Sequence, residues 1–170
     1  MALAVTACSD SSSRKYFETQ GLRTPASACT VDPRSLGQAQ ALPDIDEDNG
    51  CEVRDRYSVS SLAGVRFSQS ATMNCGLAAP LNTWLDGTVQ SSAVDAFGER
   101  VVGIDVAASY ACRGRNNARG AKMSEHGFGN AIDISAFTLE SGRKVSVLAD
   151  WNGDRDAKKF LRQVRGEACG

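Results

Sequence analysis

The chain has 170 residues and a mass of 18.0 kDa, which is the size of one domain with a hydrophobic core of its own. Its 19 lysines and arginines and 20 aspartates and glutamates leave a net charge of −1, which argues against a dedicated nucleic-acid-binding protein. The sequence contains no apolar run of about 18 residues, so no transmembrane helix is predicted.

Residues 1–28 are interpreted as a truncated signal segment followed by a tether. Val5-Thr6-Ala7-Cys8 resembles a bacterial lipobox, in which Cys8 would be lipidated after cleavage. Only 7 residues precede Cys8, and they lack the basic start and the full apolar stretch of a secretory signal. Either the N-terminus is truncated or the similarity is chance. Residues 9–28 are rich in serine, threonine and glutamine, which is typical of a tether.

The 6 cysteines are spread singly along the chain, without a Cys-x-x-C pair. This pattern favours disulfides and an oxidising compartment, and the alternative is a set of buried free thiols in a cytosolic protein. A Cys29–Cys51 bridge would staple residues 29–57, but the spacing does not fix the connectivity. Cys112 has Cys75 and Cys169 as candidate partners. If Cys8 is lipidated, the disulfide candidates are Cys29, Cys51, Cys75, Cys112 and Cys169.

The first half of the remaining chain predicts loops, one short strand and one helix. Residues 29–57 combine prolines and glycines with the acidic run Asp44 to Asp48, which is interpreted as a solvated loop. A short strand is predicted at Val65–Phe67. Apolar residues at helical spacing then follow Asn74, the predicted N-cap, as far as Gly98. We interpret this helix as core scaffold without chemistry of its own.

The second half predicts more strands and a final helix. Gly114 to Lys122 is polar and is predicted to be flexible, and Glu140-Ser141-Gly142 predicts a hairpin turn. The fold class is therefore α+β, with a small antiparallel sheet flanked by helices. The predicted elements are strands at Val101–Val106, Ala131–Leu139 and Lys144–Leu148 and a helix from Asp154 to Glu167.

One stretch carries the chemistry that the sequence offers: Ser124-Glu125-His126-Gly127-Phe128-Gly129-Asn130-Ala131-Ile132-Asp133. It contains the only histidine, which excludes a zinc site with three histidines from this chain alone. The glycines allow a tight bend beside His126, and Asp133 lies in a predicted strand. A loop imidazole and a strand carboxylate can converge on one ion and form a partial shell for zinc. Taken without their surroundings, an exposed loop histidine and a turn-capping aspartate explain the same pair.

The pattern Ser-x-His-x-x-Gly-x-Ala-x-Asp resembles the signature of the D-Ala-D-Ala metallopeptidases and of the lysostaphin-type cell-wall peptidases. The resemblance implies that His126 and Asp133 are two of three zinc ligands. It implies that Arg113 contacts substrate or a developing oxyanion, and that Ser124 is a hydrogen-bonding residue behind the ligands. It also implies the α+β core of the D-Ala-D-Ala metallopeptidase, or LAS-type, fold.

The chain resembles more closely the bacterial extensin-like protein C-terminal domain family. Besides the histidine motif, the matching elements are Ser109-Tyr110-Ala111-Cys112-Arg113, Asp150-Trp151 and a final helix that ends in Ala168-Cys169. The resemblance covers residues 29–170, which we interpret as one peptidase-like domain. The family continues past Cys169 with a histidine-rich segment that supplies the third zinc ligand. This sequence ends at Gly170, so we expect a C-terminally truncated domain with an incomplete metal site.

These observations lead to a functional expectation with an alternative. The expected function is that of a zinc-dependent, peptidase-like cell-envelope protein acting on peptidoglycan peptides. Its expected location is the periplasm or cell envelope, with a lipid on Cys8 as the only membrane attachment and no nucleic-acid partner. The alternative is a non-catalytic peptidoglycan-binding or structural envelope domain of the same fold, in which the histidine is incidental.

Overall fold

The computed structural model describes residues 2–6, 29, 31–114, 122–166 and 168, which form a large mixed sheet, a small second sheet and helices. In this part of the chain the strands are β1 (Leu3–Thr6), β2 (Gly37–Ala41), β3 (Ile45–Asp46), β4 (Glu52–Val53), β5 (Arg56–Leu62), β6 (Val65–Asn74), β7 (Val101–Ala108), β8 (Ala131–Leu139) and β9 (Lys144–Ser146). The α-helices are α1 (Cys75–Trp84), α2 (Gln90–Phe97) and α3 (Arg155–Gly166). A π-helical turn (Leu85–Val89) joins α1 to α2, and single 3-10 turns occur at Pro33–Ser35 and Glu125–Phe128.

The large sheet has the order β1-β8-β7-β6-β5-β2, and β9 pairs with the same edge of β8 as β1. Strands β6 and β7 are parallel, whereas the other neighbouring strands are antiparallel. The predicted α+β class is confirmed, but the sheet differs from the predicted small antiparallel one in its size and in this parallel pair. The helical run between β6 and β7 forms a crossover, which is the connection that parallel strands require.

Strands β5 and β6 form a hairpin of which the sequence predicted only the short piece Val65–Phe67. Buried Val65 and Phe67 alternate with exposed Arg66 and Ser68, so one face of β6 packs on the core and the other faces solvent. Ser68, Gln69 and Ser70, which are exposed, weaken the apolar signal of the strand. The same reason applies to β2, which lies in the region that was predicted as loop.

The helix predicted between Asn74 and Gly98 is confirmed as one continuous helical run. Asn74 is the N-cap, since its side-chain oxygen accepts the N–H of Leu77 at 3.0 Å. Gly98 ends α2 with a left-handed φ of 69°, and its N–H donates to the Val94 carbonyl. In the described residues, no helix is long and apolar enough to span a bilayer.

An aromatic cluster joins the helices to the core face of the sheet. Phe137 of β8 contacts Phe160 of α3 edge to face, with ring centroids 5.1 Å apart. Trp84 and Phe97, at the ends of α1 and α2, pack against these two rings. The predicted final helix is thus confirmed, and Asp154 caps it by accepting the N–H of Ala157 at 2.8 Å.

The structure pairs Cys29 with Cys75 and Cys51 with Cys112. The Cys29–Cys51 bridge, which the sequence offered as one possibility, is therefore not formed, and Cys112 pairs with neither of its two candidate partners, Cys75 and Cys169. The Cys51–Cys112 bond is consistent with the fold. Cys51 lies immediately before β4, and β4 packs against the 3-10 turn Glu125–Phe128. The Cys112 segment precedes this turn in the chain, and its cysteine meets Cys51 there. Cys8 and Cys169 lie outside the described residues, so lipid attachment to Cys8 stays a prediction. Residues 115–121, in the segment predicted to be flexible, also lie outside the part of the chain that the structure describes.

Residues Leu3–Thr6, which the sequence assigned to a signal-like segment, form strand β1 at the edge of the sheet. The strand pairs antiparallel with β8, from Leu3 opposite Ile134 to Thr6 opposite Ala131. The Leu3 side chain is only 4% exposed and belongs to the main hydrophobic core. These four residues therefore take part in the folded domain.

Asn74 connects the helical run to the turn that precedes β8. Its side-chain amide donates to the Phe128 carbonyl at 3.1 Å and to the Asn130 side-chain oxygen. Its backbone N–H donates to the Gly129 carbonyl at 3.0 Å. Because Asn74 is 1% exposed, its side-chain hydrogen bonds are shielded from water, and their loss is expected to be costly.

We predict that Asn74→Ala lowers the free energy of unfolding by about 2 kcal/mol, because it removes a helix cap and leaves the part-buried Phe128 carbonyl and Asn130 side-chain oxygen without their donor. Urea denaturation followed by circular dichroism measures the change. Asn152→Ala is the control, since Asn152 is exposed, and it is expected to change stability by less than about 0.5 kcal/mol. Equal effects of the two substitutions would contradict this role for Asn74.

Candidate functional site

His126 lies in the 3-10 turn Glu125–Phe128, immediately before β8, and is 7% exposed. Gly129 ends this turn with a left-handed φ of 64°, and a Cβ atom there would lie 2.9 Å from both the Asn74 nitrogen and a Val53 methyl. Gly127 packs against Cys51 and Met123, with 3.0 Å between an added Cβ and the Cys51 sulfur. The tight bend that the sequence predicted is present at Gly129, and both glycines also let the turn pack closely on its neighbours, which the sequence did not predict.

His126 and Asp133 converge, as the motif predicted. The Nε2 atom of His126 lies 3.3 Å from Oδ2 of Asp133. The strand carries Asp133 between Ala108 of β7 and Ala4 of β1, and its side chain is 22% exposed. The pair is thus formed by a buried imidazole and a partly open carboxylate at the end of β8.

The other ring nitrogen of His126 is held by a main-chain carbonyl. Nδ1 contacts the carbonyl oxygen of Ser109, which accepts a hydrogen bond only if Nδ1 carries the proton. The regular pairing of β7 with β8 ends at Ala108, and the chain then leaves the sheet, so the Ser109 carbonyl is available to the ring. The Ser109 hydroxyl accepts the N–H of Thr72 at 3.1 Å, which fixes the segment to β6.

The contact of Nδ1 with the Ser109 carbonyl determines what can lie between His126 and Asp133. With the proton on Nδ1, the neutral ring presents the Nε2 lone pair toward a carboxylate oxygen, and two acceptors 3.3 Å apart repel each other. The arrangement is stable when a cation lies between them, either a proton on Nε2 or a metal ion. The donor set, an imidazole nitrogen and a carboxylate oxygen, is one that zinc accepts.

The contact with Asp133 raises the pKa of His126 above its usual value. The hydrogen bond to Asp133 is the largest influence and raises the pKa, burial opposes it, and the Ser109 carbonyl adds to the increase. The positive charge of Arg113 lowers the pKa to a smaller extent, so Arg113 lies within electrostatic range of the ring. The structure thus brings two of the predicted residues, His126 and Asp133, into contact, and Arg113 lies within electrostatic range of His126.

A disulfide and main-chain hydrogen bonds position the Arg113 segment. Cys112 is bonded to the fully buried Cys51. The N–H of Ala111 donates to the His126 carbonyl at 3.3 Å, and the N–H of Ser124 donates to the Arg113 carbonyl at 3.0 Å. Ser124 contributes this main-chain contact, and its predicted side-chain role behind the ligands stays a prediction. The Ser109 carbonyl makes the contact to the ring that the sequence did not assign.

An acidic loop borders the same segment. The Tyr110 hydroxyl donates to Glu47 at 2.5 Å, and burial together with Glu47 raises the pKa of Tyr110 to about 12. Tyr110 therefore stays protonated and keeps the loop attached beside the site. Arg54 pairs with Asp44, Asp46 and Glu52, whose side chains are solvent-accessible as the sequence predicted. The run is not all loop, because Ile45–Asp46 form the short strand β3, paired with β4.

Within the described residues, no cysteine or further carboxylate lies close enough to His126 and Asp133 to act as a third ligand to a shared ion. Three potential ligand groups do come together elsewhere in that part of the chain, at Cys29, Asp55 and Cys75. The two sulfurs of that group are bonded to each other, so it is not a metal site. The predicted pair is thus a two-ligand arrangement.

The fold and this site define a disulfide-stapled α+β domain with a histidine–aspartate pair at one end of a sheet strand. The chain belongs to the family described as Extensin-like protein C-terminus, which matches residues 27–170. No curated protein and no solved structure matches the chain. The extensin-like resemblance is therefore confirmed, whereas the relation to D-Ala-D-Ala metallopeptidases stays a prediction. The two disulfides are typical of an extracytoplasmic protein.

We predict that Asp133→Asn lowers the pKa of His126 in the metal-free chain, because it removes the largest cause of the increase. Since the folded pKa is raised, the contact with Asp133 stabilises the fold fully below the unfolded value of about 6.5 and is lost as pH rises through the folded pKa. Proton NMR of the ring in the presence of EDTA measures the pKa.

The control is Asp105→Asn, because Asp105 pairs with Lys144 and is not among the groups that shift His126. The control is expected to leave the pKa of His126 unchanged. An unchanged pKa in Asp133→Asn would show that the two side chains do not interact in solution.

Proposed function

We propose that this domain is a zinc-dependent peptidase-like protein of the cell envelope that acts on peptidoglycan peptides through a site centred on His126 and Asp133. The observation that carries the proposal is the 3.3 Å separation of Nε2 and Oδ2, with Nδ1 held by a carbonyl. The resemblance of the motif to the D-Ala-D-Ala metallopeptidases supplies the reaction class. The disulfides support an envelope location.

The pair fits half of a tetrahedral zinc shell. Two ligand atoms that are each about 2.0–2.1 Å from a tetrahedral zinc ion lie roughly 3.3–3.4 Å from each other. The separation of Nε2 and Oδ2 is 3.3 Å, so an ion could bridge them with little movement of either side chain. The Ser109 carbonyl would keep the Nε2 lone pair directed at the ion, which is the usual role of a residue behind a histidine ligand.

Bound zinc would lower the pKa of a water molecule and polarise the carbonyl of the peptide bond to be cleaved. The residues of the chain would bind the ion and orient the substrate. His126 and Asp133 would hold the ion, and the partly open Asp133 would leave one side for the substrate. Arg113 would stabilise the negative charge that develops on the substrate oxygen. The resemblance assigns the third ligand to a histidine-containing segment that follows Cys169 in the family.

A second candidate is a non-catalytic envelope domain that binds peptidoglycan peptides without cleaving them. It is favoured by the two-ligand arrangement within the described residues. In that case the protonated His126 and the partly open Asp133 form an ion pair, and the surface around them serves for binding alone.

We predict that zinc binds the chain with micromolar or weaker affinity, because two protein ligands hold an ion less firmly than three. Competition with a chromophoric chelator measures the dissociation constant. His126→Ala and Asp133→Asn are each expected to weaken binding at least about tenfold, whereas Asp105→Asn leaves it unchanged. Binding that is insensitive to both site substitutions would contradict the proposed ligands, and nanomolar binding would show that the ligand set is larger than the pair.

We predict that the chain releases new amino groups from purified peptidoglycan when zinc and imidazole are both present, with imidazole as an exogenous third nitrogen ligand. Labelling of amines followed by mass spectrometry detects the cleaved bonds. Turnover is expected to vanish in His126→Ala and Asp133→Asn and to persist in Asp105→Asn. Retention of the chain on peptidoglycan without release of amines would support the non-catalytic alternative.

A further inference from the structure

We propose that the outer edge of β8 at Ala131–Ile134 is a docking site for an extended peptide, which adds to the sheet as an antiparallel strand beside Asp133. Strand β1 takes this place in the structure. The identification of the docked peptide as a substrate rests on the proposed function, whereas the docking itself does not. The peptide is defined by its chemistry: a free backbone in extended form and an apolar side chain at one position.

The pairing of β8 defines where the docking site begins and ends. On its inner side β8 pairs with β7, from Asp133 to Leu139. On its outer side β9 covers Ala136 to Thr138, and β1 covers Ala131 to Ile134. Without β1, the outer N–H and C=O groups of this last segment would have no partner, and such an edge accepts another strand.

The register places a docked strand next to the His126–Asp133 pair. Ala4 of β1 lies directly opposite Asp133. Neighbouring strands in a sheet lie about 4.7–4.9 Å apart, so the backbone of the residue in this position is a neighbour of the carboxylate that contacts His126. A peptide bond docked in the place of Ala4 would therefore lie beside the proposed metal ligands.

The adjoining position selects an apolar side chain. Leu3 lies opposite Ile134, is 4% exposed and packs in the main core. Ile134 is completely buried as well, so a side chain in the place of Leu3 is covered by apolar neighbours. Strand addition of this kind derives affinity from backbone hydrogen bonds and specificity from pockets for alternate side chains. The edge is thus expected to prefer an apolar residue next to the residue that faces Asp133.

Strand β1 belongs to the same chain and therefore competes with a free peptide for this edge of β8. A segment of the same chain is present at an effective concentration of the order of millimolar, so a free peptide binds the unaltered chain only weakly. Release of β1 is expected to expose the edge. Leu3→Asp achieves this in the full chain, because a charged carboxylate cannot be buried in the core without a partner.

The probe is a fluorescent, acetylated peptide with the sequence of residues 2–6, Ala-Leu-Ala-Val-Thr, and fluorescence anisotropy without zinc measures its binding. Leu3→Asp is expected to bind the probe at least tenfold more tightly than the unaltered chain. Ala2→Asp is the matched control, since it adds the same charge one residue before β1, and it is expected to behave like the unaltered chain. A probe with N-methylated backbone amides is expected not to bind.

Addition of His126→Ala to Leu3→Asp separates this inference from the proposed function. Docking is expected to persist in the double variant, because it uses the backbone of β8 rather than the imidazole. Failure of zinc binding or turnover with intact probe binding would refute the proposed function alone. A folded Leu3→Asp chain that does not bind the probe, or that binds the N-methylated probe equally well, would refute the docking site.

Hydrogen exchange of the unaltered chain provides a second test that does not depend on the folding of Leu3→Asp. With the probe in large excess, the amides of residues 3–6 are expected to exchange faster, whereas those of residues 132–134 stay protected. If the amides of residues 3–6 keep their exchange rates at every probe concentration, the docking proposal is overturned.

Discussion

The hydrogen bonds of Asn74 connect the helical run to the turn that precedes β8. One buried side chain caps the helical run through Leu77 and binds the Phe128 carbonyl and Asn130. The helical run fixes β6 relative to β7, and the turn that contains Phe128 places His126 at the start of β8. The position of the imidazole therefore depends on a residue that belongs, in sequence and in fold, to the scaffold.

The sequence predicted those features that rest on short-range chemistry. The N-cap at Asn74, the helix end at Gly98 and strand β8 follow from capping, left-handed glycine and apolar runs. The convergence of His126 and Asp133 could also be predicted, because both belong to one motif. Strands β2 and β5 could not, since their polar residues, exposed in β2 and half-buried in β5, give the pattern of a loop.

Long-range features were beyond the reach of the sequence pattern. The disulfide partners are set by which segments the sheet brings together, and spacing does not encode that. The Ser109 carbonyl contacts His126 only because regular β7–β8 pairing ends one residue earlier, at Ala108. A backbone oxygen has no sequence signature of its own. The parallel pair β6–β7 likewise follows from the crossover, and its few paired residues leave no distinct pattern.

The interleaved order of the disulfides has a consequence for maturation. Of these four cysteines, the first is bonded to the third and the second to the fourth. A chain that enters an oxidising compartment from its N-terminus exposes Cys29 and Cys51 to oxidants first, and pairing in order of arrival joins residues that the fold keeps apart. Native bonds then require exchange through mixed disulfides. Production of this domain should therefore depend on a thiol–disulfide isomerase more than on the supply of oxidant.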